Sequence, residues 1–116
     1  MMTEVAFHAN IEARYECIDV FPIKWYQDGS TSRHSQGILL EIWRTGGLLQ
    51  TCVPLPEGSP IELAPTGHAI QARVARCDQD DYGFMVCVSV NSTEHDKWFP
   101  QSYRPPYLRS HEQHIK

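Results

Sequence analysis

Long apolar runs are absent from this sequence. None of its 116 residues belongs to a stretch of about eighteen consecutive apolar residues, which is the length that a membrane-spanning helix requires. The N-terminal residues MMTEVAFHANIEARYE also lack a basic segment followed by an apolar one, the pattern of a secretory signal. We therefore expect no membrane insertion and a cytoplasmic location.

Clusters of positive charge are absent as well. Ten lysines and arginines are outnumbered by 14 acidic residues and are spread along a chain whose formal net charge is −4. Binding to a nucleic-acid polymer requires concentrated positive charge, so that class of function is disfavoured. A single small anionic ligand remains compatible with the composition, because one or two well-placed arginines suffice to bind it.

The sequence also lacks the close ligand pairs that mark redox and zinc sites. Its cysteines, Cys17, Cys52, Cys77 and Cys87, form no C-x-x-C pair, and each lies in an apolar run, which is typical of inert, buried thiols. Cys77 and Cys87 flank a predicted hairpin, where they could face each other. In a cytoplasmic chain we nevertheless expect both to be free thiols.

No catalytic or metal-binding pattern emerges from the remaining residues. The segment HEQH at 111–114 brings two histidines together, but it is not the H-E-x-x-H motif of metalloproteases. No Ser/His/Asp or Cys/His arrangement can be argued from the order of residues. The sequence therefore predicts no metal, no cofactor and no enzymatic activity.

What the sequence does contain is a series of short strands separated by turn residues. The predicted strands cover 17–27, 37–43, 48–53, 61–64, 69–77 and 82–90. The breaks between them are DGSTS, the Gly46-Gly47 pair, PLPEGSP, PTGH and DQDD. The length is that of one domain, 1–116, and this order of elements indicates an all-β barrel or sandwich.

The alternation within each strand predicts which side chains face the core. In 37–43 one face holds Ile38, Leu40 and Ile42, and the other holds Leu39, Glu41 and Trp43. In the hairpin 69–90 the shared faces hold Ile70, Ala72 and Val74 on one arm and Phe84, Val86, Val88 and Val90 on the other. Pro22 cannot donate to a ladder, so it predicts a strand edge or a bulge in 17–27.

The C-terminal residues 92–116 have a different character. NSTEHDKWFP predicts a short helical turn capped by Ser92 or Thr93, and the prolines that follow predict an extended path before a polar end. Four aromatic residues and three prolines interleave in WFPQSYRPPYL, residues 98–108. This segment either folds back over the barrel, or presents Trp98, Tyr103 and Tyr107 to a partner protein or a second copy.

In its order of segments the chain resembles the PilZ domains, small bacterial barrels of six or seven antiparallel strands that in many cases bind cyclic di-GMP. The resemblance runs from about residue 10 to residue 90, with the barrel itself expected at about 10–91, and GILLEIWRTGGLL, PLPEGSPIEL, AIQARVARC and YGFMV carry it. It implies a PilZ-like barrel followed by a C-terminal tail at 92–116, and a role in cyclic di-GMP-linked signalling.

The family binds its ligand with R-x-x-x-R before the first strand and [D/N]-x-S-x-x-G at the end of the second. Here Arg14 matches the second arginine, but Asn10 stands at the first position. Glu41 and Trp43 replace the Asp/Asn and the Ser of the second motif, whose glycine is kept as Gly46. The missing guanidinium at Asn10 and the missing hydroxyl at Trp43 together cost about 3–5 kcal/mol of binding, since a hydrogen bond to a charged group contributes about 1.5–3 kcal/mol.

Two functions follow from this resemblance. The first is a non-enzymatic signalling adaptor with a degenerate nucleotide site and a protein partner, with a homodimer as a further option. The second is a receptor that still binds cyclic di-GMP through Arg14, Glu41, Trp43 and the adjacent Arg44, with a guanine stacked on the indole. Base–aromatic stacking contributes roughly 1–3 kcal/mol. For each of these side chains the alternative is a surface charge or a ring that covers the barrel.

Overall fold

Six of the seven strands form a closed antiparallel barrel. The computed structural model describes residues 13–28 and 31–110, in which the strands are β1 (Tyr15–Gln27), β2 (Thr31–Trp43), β3 (Gly46–Thr51), β4 (Pro60–Leu63), β5 (Ile70–Asp80), β6 (Gly83–Val90) and β7 (Arg109–Ser110). Their order is β2-β3-β6-β5-β4-β1-β7, and pairing of β1 with β2 closes the first six. The predicted all-β antiparallel barrel is confirmed, and β7 is an extra strand beside the start of β1.

The core lies inside the barrel, where the inward rows of β5 and β6 meet. Ile70, Ala72, Val74, Val86, Val88 and Val90 are all buried, and Phe84 packs against them. The predicted faces of this hairpin are therefore confirmed. Alternation was informative here because one face of each strand lies in the core and the other faces solvent.

The predicted faces of β2 are wrong. Leu39, Ile42 and Trp43 are buried, whereas Ile38 and Leu40 remain partly exposed. The register between β2 and β3 shifts between Leu39 and Glu41, so that β2 carries one extra residue there. A bulge of this kind exchanges the inward and outward faces, and a strict two-residue period cannot anticipate it.

Several strand boundaries also differ from the prediction, three of them at informative places. The second strand begins at Thr31 instead of residue 37, because its polar first half pairs with the outer half of β1. The third strand begins at Gly46, so the two glycines start a strand instead of interrupting one. The β5 strand runs on to Asp80, and the turn that follows is only Asp81-Tyr82.

Pro22 lies within β1, opposite Gln36 of β2, and the bulge in β1 lies elsewhere, between Glu16 and Asp19. The Pro22 carbonyl accepts a hydrogen bond from the Ala64 N–H at 3.1 Å. Pairing between β1 and β4 ends at Ile23 and Leu63, one position away. Pro22 therefore lies where that pairing stops, so a ladder donor is not needed there.

The C-terminal segment closes one end of the barrel. A 3₁₀ helix runs from Ser92 to Lys97 and starts after Asn91, not after Ser92 or Thr93 as predicted. Trp98 follows and is fully buried, and its indole N–H lies 3.0 Å from the Trp43 carbonyl and 3.2 Å from the Gly46 carbonyl. The segment then makes two turns instead of one extended path, and ends in β7 against Tyr15 and Glu16.

The cysteines are all free thiols in the described part of the chain, but only Cys17 is buried. Cys52 is exposed, contrary to the prediction, because β3 ends at Thr51 and leaves it in a bend. Cys77 pairs with the buried Val86, while Cys87 pairs with the exposed Arg76. The two thiols therefore lie on opposite sides of the barrel wall and do not face each other.

Candidate functional site

Three of the residues predicted for the ligand site lie together. Arg14 immediately precedes β1, and its guanidinium carbon lies 4.2 Å from the centroid of the Trp43 ring. Its Nη1 atom lies 3.5 Å from Oε1 of Glu41. The structure thus brings Arg14, Glu41 and Trp43 into one cluster, which we call the Arg14 cluster.

The register of the sheet explains why these residues meet. Tyr15 of β1 pairs with Ile42 of β2, so Arg14 stands beside the end of β2, where Trp43 is the last residue. Glu41 lies opposite Glu16 on the neighbouring strand. Because β1 and β2 run antiparallel, the residue before one strand and the last residues of the other share one corner of the barrel.

The contacts of Arg14 are those of a guanidinium at the surface. Its side chain is 55% exposed and that of Glu41 is 24% exposed, so water screens the ion pair, whose contribution to stability is about 0–1 kcal/mol. Stacking of a solvent-exposed guanidinium on an aromatic ring adds roughly 0.5–1 kcal/mol. Arg14 therefore already has partners within its own chain, one a carboxylate and one a ring.

Gly46 has a structural role that the motif alone did not reveal. A Cβ atom at this position would lie 2.2 Å from the carbonyl oxygen of Val88 on β6 and 3.1 Å from Nε1 of Trp43. Real Cβ contacts do not come that close, so only glycine fits without moving one of the two strands. On the side of Gly46 where a side chain would lie, the space is therefore occupied by β6 and by the Trp43 ring.

Trp43 is mostly buried, at 8% exposure, and belongs to the barrel wall. Its backbone carbonyl accepts the indole N–H of Trp98, which ties the C-terminal segment to the end of β2. The sequence allowed two roles for this ring, stacking on a guanine or covering the barrel, and its burial agrees with the second. The stacked guanidinium of Arg14 lies where a base would have to stack.

Arg44 does not join the Arg14 cluster. It is exposed in the two-residue turn between β2 and β3, and within the described residues it forms no ion pair. A guanidinium in this place is available to an anion but is not aimed by any neighbouring side chain.

The three aromatic residues proposed as partner contacts separate into two groups. Trp98 and Tyr103 are buried, at 0% and 5% exposure, whereas Tyr107 is 78% exposed. The centroids of the Trp98 and Tyr103 rings lie 5.4 Å apart inside the barrel end. Folding back over the barrel therefore describes Trp98 and Tyr103, and only Tyr107 is presented at the surface.

An open groove lies beside the Arg14 cluster on the outer surface. Its volume is about 700 Å³, and its lining includes Ile18, Leu40, Glu41 and Leu48. Cys17 borders the groove, but burial, reinforced by the nearby carboxylates of Asp19 and Glu41, raises the pKa of its thiol to about 12. At neutral pH the thiol is protonated, so it is a poor nucleophile.

Two contacts near the site were not predicted. The Tyr103 hydroxyl donates a hydrogen bond to Oδ2 of Asp19 at 2.5 Å, and Arg109 forms a 2.7 Å ion pair with Glu16. Both join the C-terminal segment to β1 across more than eighty residues of sequence. No local pattern indicates such a contact, although an interleaved aromatic segment did suggest that the tail is covered.

Within residues 13–28 and 31–110, no group of three or more His, Cys, Asp or Glu side chains is arranged to hold a metal ion. His111 and His114 of the HEQH segment lie outside the described residues. In the same described ranges no helix is both long and apolar enough to cross a bilayer.

No family model, no curated protein and no solved structure matches this chain. The resemblance to PilZ domains thus remains an expectation from sequence motifs.

Proposed function

We propose that this chain is a non-enzymatic, PilZ-like adaptor of bacterial cyclic di-GMP-linked signalling, and that it acts in the cytoplasm through protein contacts. The observation that carries the proposal is the Arg14 cluster, in which the residue at a ligand arginine position stacks on Trp43 and pairs with Glu41. At the position where the family motif would imply a nucleotide, these side chains of the chain itself contact one another.

The placement of these residues supports the resemblance. Arg14 lies directly before the first strand, and Glu41 and Trp43 lie at the end of the second, which are the positions of the two family motifs. The barrel has six strands, within the range expected for the family. The glycine that the second motif keeps begins the third strand.

The same geometry argues against tight nucleotide binding. Glu41 keeps the charge that an Asp of the family motif would have, but its side chain is one methylene longer, and Trp43 replaces the serine hydroxyl that follows. A ligand would have to displace Arg14 from both Glu41 and Trp43 before it gained either contact. Each displaced contact reduces the free energy of binding, in addition to the loss from Asn10.

A second candidate, a receptor that uses the rewired site, rests on the proximity of the same three side chains. If a guanine replaced the guanidinium on Trp43, Arg14 would be released toward a phosphate. Stacking on an aromatic ring contributes roughly 1–3 kcal/mol per base, which could offset one lost hydrogen bond.

Isothermal titration of the purified protein with cyclic di-GMP separates the two candidates. We expect no binding tighter than about 50 micromolar for the natural sequence, given a loss of about 3–5 kcal/mol at roughly 1.4 kcal/mol per tenfold in affinity. The double variant Asn10→Arg, Glu41→Asn should bind at least about tenfold more tightly, because it restores a guanidinium and the shorter Asn of the family motif.

Asp81→Asn is the matched control, since it removes one negative charge in the exposed β5–β6 turn, outside the Arg14 cluster. Its affinity should equal that of the natural sequence. Micromolar binding by the natural sequence, abolished by Trp43→Leu in a folded protein, would establish the receptor and refute the degenerate-site proposal.

A further inference from the structure

One side of the outer surface of the barrel is apolar. Rows of paired residues alternate between interior and exterior. In the outward rows of β1, β2, β3 and β6, Gln50 pairs with Ile38 and Met85, and several aliphatic side chains surround it. We call six of them the outer apolar face: Ile18, Val20, Ile38, Leu40, Leu48 and Met85. Ile18 and Val20 are 53% and 56% exposed, which is unusual for side chains of this kind when they lie next to one another.

The bulges in β1 and β2 enlarge this face. The register shifts between Glu16 and Asp19 on β1 and between Leu39 and Glu41 on β2, and Ile18 and Leu40 lie within these shifts. Both line the 700 Å³ groove described above. The N–H of Ile18 donates to the Pro106 carbonyl at 3.2 Å, so the C-terminal segment holds the bulged residue in its outward position.

The opposite side of the same barrel is polar. The outward residues of β4 and the paired part of β5 include Glu62, Gln71 and Arg73, as expected for a sheet with one solvated face. The apolar side is therefore a local feature and not a general property of the surface. Contiguous apolar surface of this kind marks a contact site.

Charges at the edge of the outer apolar face are balanced. Arg14 pairs with Glu41 and Arg109 pairs with Glu16, which gives two positive and two negative groups beside the groove. The whole chain has a formal net charge of −4, so the other surfaces carry the excess. A strongly charged partner would find no complementary potential at this edge.

We infer that a second copy of this chain covers the outer apolar face, in a two-fold symmetric dimer. In such an interface the same patch lies on both subunits, so the patch must complement itself. An apolar centre meets this requirement, and an edge with both signs lets each carboxylate approach a guanidinium of the other copy. The inference goes beyond the proposed function and does not depend on it.

Tyr107 provides an aromatic anchor beside the face. Its ring is 78% exposed, borders the groove, and follows Pro105 and Pro106. Its φ of 58° lies in the left-handed region, which bulky residues rarely adopt. A strained backbone that holds an exposed ring at an apolar groove is typical of a contact residue, because tyrosine is enriched at the centre of interfaces.

Sedimentation equilibrium of the full chain over a range of concentrations tests the dimer. We expect the mass to rise from 13.3 kDa toward twice that value as the concentration increases. Val20→Lys should raise the dissociation constant of the dimer at least about tenfold, because two ammonium groups would be brought into an apolar contact. Since Val20 is exposed in the single chain, the variant should keep its fold.

Tyr82→Lys is the matched control, because Tyr82 is 84% exposed but lies in the β5–β6 turn, outside the face. It should leave the dissociation constant unchanged. A chain that stays at 13.3 kDa up to about 100 micromolar overturns the inference. In that case, a melting temperature lowered by Val20→Lys but not by Tyr82→Lys would show that part of the same chain covers the face.

Discussion

Tyr103 and Asp19 make the closest side-chain contact between the C-terminal segment and the barrel. The hydroxyl of Tyr103 donates to the Asp19 carboxylate, and the ring is 5% exposed. Burial is the main cause that raises the pKa of the Tyr103 phenol above its ordinary value near 10, and the hydrogen bond to Asp19 is the second. The folded protein therefore favours the protonated phenol more strongly than the unfolded chain does.

The first prediction concerns the pH dependence of stability. A folded-state pKa above the unfolded value means that the contribution of Tyr103 is complete below about pH 10 and is lost as the pH rises further. Tyr103→Phe should cost about 2 kcal/mol at pH 7, since a hydrogen bond to a charged group is removed. It should also make the loss of stability between pH 9 and pH 11 (about one unit on each side of 10) shallower.

Urea unfolding at a series of pH values measures both effects. Tyr82→Phe is the control, because that ring is 84% exposed and makes no such bond with its hydroxyl. Equal slopes for the natural protein and Tyr103→Phe above pH 10 would show that another group controls the alkaline transition.

At the scale of elements, the C-terminal segment is part of the core and not an appendage. Trp98 contacts the start of β3 through the Gly46 carbonyl and the end of β2 through the Trp43 carbonyl. A Cβ atom at Gly47 would lie 2.9 Å from Leu39 and 3.1 Å from the Glu41 carbonyl oxygen, so glycine permits the close packing of β3 on β2, while the Trp98 ring at 3.5 Å would be in ordinary contact.

The second prediction compares two aromatic residues of this segment. Trp98→Ala should lower the free energy of unfolding by about 3–5 kcal/mol, through the cavity and the loss of the hydrogen bonds of the indole N–H. Tyr107→Ala should change it by less than about 0.5 kcal/mol, because the ring is in solvent in the single chain. Chemical denaturation at concentrations low enough for a monomer gives both values, and equal losses would contradict the described burial.

The sequence predicted the elements with regular alternation best. The β5–β6 hairpin has apolar residues at every second position, and its faces are those observed. The first half of β2, TSRHSQ, contains no apolar residue, so its own sequence shows no alternation, although two of its partners on β1, Ile23 and Trp25, are buried. The Gly46-Gly47 pair predicts a break between two strands because glycine carries no side chain from which to infer a face of the sheet.

The candidate site was predictable by position but not by contact. Spacing relative to the strands identified Arg14, Glu41 and Trp43. The alternation pattern alone could not show that Arg14 pairs with Glu41 and stacks on Trp43. That outcome depends on the register between β1 and β2, which includes a bulge. The contacts of Asp19 with Tyr103 and of Glu16 with Arg109 required knowledge of where the tail docks.

The molecule as a whole is elongated, with extents of 47 × 29 × 29 Å. The barrel accounts for the compact part, and the end of the β1–β2 hairpin beyond Trp25 extends past it. Beyond Trp25, β1 pairs with β2 alone, since its pairing with β4 ends there. Residues 31–34 are exposed, so few apolar contacts support this end of the hairpin.

The third prediction concerns local stability. Amide hydrogens of residues 26–27 and 31–33 should exchange at least about a hundredfold faster than those of 72–74 and 86–88, because local opening of the hairpin leaves the core intact. Hydrogen exchange followed by NMR or mass spectrometry measures the difference. Exchange at one common rate would mean that the hairpin opens only when the whole barrel unfolds.

Pairing of Tyr15 with Ser110 has a consequence for how this barrel could be joined to other proteins. Opposed residues in antiparallel strands lie about 5 Å apart, so the chain enters and leaves the barrel at neighbouring points. A host protein could carry the whole unit within a single surface loop without separating the two ends of that loop. The geometry suits an inserted domain, whose orientation toward the host protein would be restricted by two adjacent chain connections.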